Sequence, residues 1–165
     1  MYWNEKIDLI KKKYADKDFS TPHVDRKEIL KKIETKFIGR SKHYCDLNNF
    51  NNRFCNWWTE IKETTFIGSE SEIQSLLNFA FDKKEQFWIA CEFTDGIMIY
   101  KSKLEPALHL ISIGQSWTDT FHVIQLKYDF IISIRFSNGE LSMKSSGNNE
   151  FIERIKQTTI KTKQN

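Results

Sequence analysis

Six glycines are few for a chain of 165 residues. None of them builds a Gly-x-Gly-x-x-Gly fingerprint, a phosphate loop or a Gly-x-Ser-x-Gly elbow, which argues against a nucleotide-dependent enzyme. The three cysteines, Cys45, Cys55 and Cys91, are odd in number and show no C-x-x-C spacing. That excludes a disulfide framework and a zinc knuckle, and leaves Cys91 as a core residue. No run approaches the ~18 apolar residues of a membrane span, and the start, MYWNEKIDLIKKKY, lacks the apolar stretch of a signal peptide. A cytoplasmic location is the expectation, with no membrane partner. The four histidines are scattered, with no i, i+4 pair on a helix. A metal site and any other cofactor are therefore not expected.

Aromatics are plentiful, with thirteen Phe, five Trp and five Tyr. Such side chains bury large areas each, so one domain spanning 1–165 can be stabilised without covalent staples, its tail fraying from about residue 158. The net charge of +3 is unevenly spread. Residues 1–42 hold twelve basic and seven acidic groups, residues 43–106 six and ten, and the remainder seven and five, giving +5, −4 and +2. A basic start can attract nucleic acid, although here its lysines alternate with acids as on solvated helix faces.

Helical spacing of Trp3, Ile7, Ile10 and Tyr14 predicts a first amphipathic helix. Asp25 and Glu28 form the entry of a second, with Ile29, Leu30, Ile33 and Phe37 as its stripe and Gly39 as its stop. The Asn-rich run 46–56 reads as a loop, with binding as the alternative. Phe54, Trp57, Trp58 and Ile61 fall at i, i+3, i+4 and i+7, so the paired indoles read as a helical core face rather than a stacking platform. Ser69 and Glu72 predict a capping box opening a helix with Ile73, Leu76, Leu77 and Ala80 inward.

Beyond residue 85 the period shortens. FWIACEF, a turn at Asp95-Gly96 and IMIYK predict a hairpin, and further strands are expected at 107–113, 121–126, 129–136 and 141–144. The expected architecture is α+β, with N-terminal helices packed on one face of a mostly antiparallel five- to six-stranded sheet.

Chemistry-bearing groups are sparse. His43 and Cys45 in HYC offer a nucleophile pair only if the thiol pKa is lowered, and His109 and His122 fall on strands that could be neighbours, near Glu92 or Asp119. Satisfied core or surface roles explain His109 and His122 better than such a pair does. In GQSWTDTFH, Trp117 beside Asp119 has the composition of an interface anchor, against the alternative of a ring folded back over a sheet edge. Trp117 and Asp119 are accordingly the first candidates for partner contact, with Glu70, Glu72 and Asp95 as acidic contributors.

The order WWTEIK, LLNFAF, FWIACEF, IMIYKSKLEPALHLISIG and FHVIQLKYDFIISIRFSNGEL, over residues 55–147, resembles small bacterial single-domain proteins that are similar to SUKH immunity proteins. The resemblance implies an α+β fold and a non-catalytic role, binding and neutralising a cognate toxin, often a nuclease. Some relatives carry histidines at the turn where this chain has Ser137 and Asn138, so no shared histidine role is implied. A nucleic-acid-binding module using the basic N-terminal helices is the alternative.

Overall fold

The computed structural model describes residues 3–22, 26–38, 57–61, 64–93, 96–113, 120–137 and 140–162. Six strands form one antiparallel sheet in the order β1-β6-β5-β4-β2-β3. They are β1 (Thr64–Gly68), β2 (Gln86–Phe93), β3 (Gly96–Lys103), β4 (Thr120–Gln125), β5 (Phe130–Ser137) and β6 (Glu140–Gly147). The helices are α1 (Trp3–Lys13), α2 (Arg26–Ile33), α3 (Trp57–Glu60), α4 (Glu70–Ala80), α5 (Leu104–Ile113) and α6 (Asn149–Thr162).

Strand alternation assigns every side chain to one of two faces. Phe87, Ile89 and Cys91 on β2 share a face with Tyr100, Phe121, Val123, Phe130, Ile132, Ile134, Leu141 and Met143. This first face meets α1, α4, α5 and α6 through Ile7, Ile10, Ile73, Leu76, Leu110 and Ile155. On the second face Ala90, Ile97, Ile99, Ile124 and Ile131 meet Ile29, Leu30 and Ile33 of α2, together with Trp57 and Ile61. The helices thus cover both faces, and α1 and α2 lie on opposite sides of the sheet, where a single helical layer was expected. The reason is visible in β5: Phe130, Ile132 and Ile134 are buried on one side, and Ile131 and Ser133 are equally buried on the other. A sheet apolar on both faces needs two covers.

The second helix ends in a π-helical turn, Glu34–Ile38. The extra residue per turn brings Phe37 and Ile38 inward together. Residues 107–113, expected as a strand, belong to α5. Leu104, Ala107 and Leu110/Ile111 recur at helical spacing on its buried side, and Pro106 occupies the first turn, where a missing N–H costs nothing. Strand β1 was not anticipated. At its far end the chain lies across the β3 edge, where Ser20 N donates to Lys101 O (2.8 Å) and Lys103 N to Asp18 O (2.8 Å). Helix α6 is pinned by ring stacking, with Phe130 and Phe151 3.9 Å apart and nearly parallel.

Candidate functional site

Of the five residues expected to contact a partner, Glu70 and Glu72 are brought together on the first turn of α4. Trp117, Asp119 and Asp95 lie outside the described residues, as do the 46–56 run, His43 and Cys45. The capping box forms as its sequence dictates. Glu72 N donates to Ser69 Oγ at 3.3 Å, and the Glu72 carboxylate accepts from Ser69 N at 2.6 Å. Glu70 accepts from Gln74 Nε2 at 2.8 Å. Both carboxylates therefore take part in building the helix, which limits what they offer a partner.

What the sequence reading passed over stands on the same helix. Ile73, Leu76 and Leu77 fix the inward face, so Ser71, Ser75, Asn78 and Phe79 turn outward. Phe79 is 65% exposed, the more exposed of the two large apolar side chains at the surface among the described residues. The ridge around it is small and uncharged, in a chain whose composition is 28% charged. Serine and asparagine lose little rotamer entropy on contact and adapt their hydrogen bonds, and an aromatic among them supplies anchoring area. Asn78 also lines a concavity of about 530 Å³ walled by Tyr14, Lys83, Leu104, Glu105 and Leu108.

The histidines separate. His109 sits on α5, above the first face, with its ring edge-on to Tyr14 at 5.8 Å. Its Nδ1 is buried and has no hydrogen-bond partner among the described residues. Burial lowers the imidazole pKa below its usual value, Lys13 adds to that, and Glu105 opposes it. His122 lies on β4 and points into the second face, fully buried. The expected pairing of two strand histidines therefore does not occur, because one of the strands is a helix. His122 Nδ1 is instead 2.6 Å from Ser133 Oγ, and its ring lies 5.1 Å from that of Trp57. Cys91 is a buried thiol outside any disulfide, and the fully enclosed Lys6 lies within its electrostatic reach.

The paired tryptophans divide their work. Trp57 is 2% exposed and donates from Nε1 to Glu34 Oε1 at 3.3 Å, tying α3 to the π turn. Trp58 is half-buried, with the Lys144 ammonium 4.7 Å from its ring centre and donating to its carbonyl at 2.9 Å.

Among the described residues no group of three or more His, Cys, Asp or Glu is placed to hold a metal ion, and no helix is long and apolar enough to cross a membrane. The chain matches no protein-family model, and no curated protein or solved structure gives a match.

Proposed function

We propose that this chain is a non-catalytic protein-binding domain that presents the outer ridge of α4 to its partner, and that the partner is a cognate toxin. The observation that carries the reading is Phe79, held 65% in solvent on a ridge of small uncharged side chains. Keeping an apolar ring of that size in water forgoes about 1.5–3 kcal/mol of burial, a sacrifice that a partner recovers on docking. The toxin assignment rests on the resemblance to immunity proteins, and Glu70, Glu72, Asp95, Trp117 and Asp119 stay with it as contributors to the contact surface.

The nucleic-acid alternative draws less support. Its basic residues are divided, with Lys11, Lys12 and Lys13 closing α1 on one side of the sheet and Lys31 and Lys32 closing α2 on the other. One phosphate backbone does not follow both sets at once.

Co-expression with the toxin encoded beside it is the test. The wild-type chain should protect cells and Phe79→Asp should not, with both proteins folded to the same extent. Absence of protection by the wild type removes the toxin assignment. Protection by Phe79→Asp equal to wild type moves the contact surface away from α4.

A further inference from the structure

The second face of the sheet changes character from one end to the other. At the β3 side it is aliphatic, with Ile97, Ile99 and Ala90. Across β4, β5 and β6 the ladder reads Thr120, Arg135, Ser142 in one row and His122, Ser133, Lys144 in the next. Arg135 and Lys144 therefore stand at diagonal positions on adjacent strands, pointing the same way. Such neighbours have Cβ atoms about 7–8 Å apart, close enough for two long side chains to reach one atom group between them.

Two cations held there repel each other. Neither forms an ion pair among the described residues, and Arg135 makes no hydrogen bond with any of them. Fixing α3 accounts for Lys144, which spends one of its three N–H donors on the Trp58 carbonyl and keeps two. It does not account for Arg135, whose five donors are unspent among the described residues. Burial lowers the Lys144 pKa and the Arg135 charge lowers it further. Arg135, Ser142 and Lys144 are all half-buried, so the charges are partly desolvated yet reachable.

We propose that this corner binds a phosphate dianion, free or as a terminal phosphomonoester, between Arg135 and Lys144. The guanidinium takes two oxygens in its fork, the Lys144 ammonium a third, and the Ser142 hydroxyl, directly across the ladder from Arg135, completes the ring of donors. His122 is not a ligand. Its Nδ1 is engaged by Ser133, beside Lys144 in the same row of this face. The corner lies across the sheet from α4, so it is separate from the surface proposed for the protein partner.

The test is a titration of the full chain with inorganic phosphate and, separately, with a nucleoside monophosphate, followed by NMR at the Trp58 indole and the Lys144 ammonium. Saturable shifts at both groups are expected. Arg135→Gln should weaken binding about tenfold, the loss of one charge-assisted contact, and since Arg135 holds no other described residue this variant keeps the fold. Lys144→Gln should weaken it similarly. Equal affinity for the two ligands assigns the site to free phosphate, and tighter binding of the nucleotide assigns it to a phosphomonoester. No saturation below about 10 mM with either ligand, or unchanged affinity in Arg135→Gln, overturns the proposal.

Discussion

His122 and Ser133 face each other across the β4–β5 ladder, and the 2.6 Å bond between Nδ1 and Oγ is made where neither side chain meets solvent. A buried polar atom deprived of its partner costs about 1–3 kcal/mol. Ser133→Ala should lose that much in urea unfolding with the m-value unchanged. A midpoint equal to wild type would mean that the imidazole nitrogen is satisfied elsewhere.

Two exposed-versus-buried aromatics give opposite expectations. Trp57→Ala removes a core ring and its bond to Glu34, so a loss of about 3–5 kcal/mol is expected. Phe79→Ala should stay within about 0.5 kcal/mol of wild type in the same denaturation, because its ring covers little. Equal destabilisation by the two would contradict an outward Phe79.

Gly147 closes β6 at φ +137°, a conformation open essentially to glycine alone. A Cβ there would come within 2.6 Å of Phe130 Cα, a backbone atom that has no rotamer to change. Gly147→Ala should therefore cost at least about 1–3 kcal/mol, measured as a fall in the thermal midpoint. Ser146→Ala, one residue earlier, serves as the control and should change stability by no more than about 0.5 kcal/mol.

Acid sensitivity should trace partly to His109. Its folded-state pKa lies below the unfolded value of 6.5, so between the two the unfolded chain binds the proton more readily. Stability is then intact above about pH 6.5 and falls as the pH drops through that window. His109→Phe should flatten the stability profile below about pH 6.5, and a profile parallel to wild type would exclude the imidazole as a cause.

Much of the fold was written in local signals. Ser69 and Glu72 announced α4 because a capping box needs nothing from outside its own turn. The β5–β6 hairpin followed from a two-residue turn between alternating segments. That turn fixes the register, so the diagonal of Arg135 and Lys144 was available to anyone who counted back from Asn138-Gly139. Helix α5 was lost because ALHLISI alternates for several residues while also satisfying a helical period, and only packing against the first face decides between them. Phe79 was equally legible: with Ile73, Leu76 and Leu77 inward, it falls off the stripe. The division of helices between two faces depends on which side of the sheet each loop crosses, and no short-range pattern carries that.

The sheet closes late in the life of the chain. β1, at residues 64–68, borders β6 alone, and β6 begins at residue 140, 72 positions after β1 ends (140 − 68 = 72). At about 5–20 residues per second a ribosome needs several seconds to supply that neighbour. Throughout that interval Thr64–Gly68, with its β-branched and aromatic side chains, waits as a nascent strand lacking its ladder partner. Residues 140–147 therefore set when the first strand is committed, and a pause in translation before residue 140 would prolong the period in which neighbouring nascent chains compete for it.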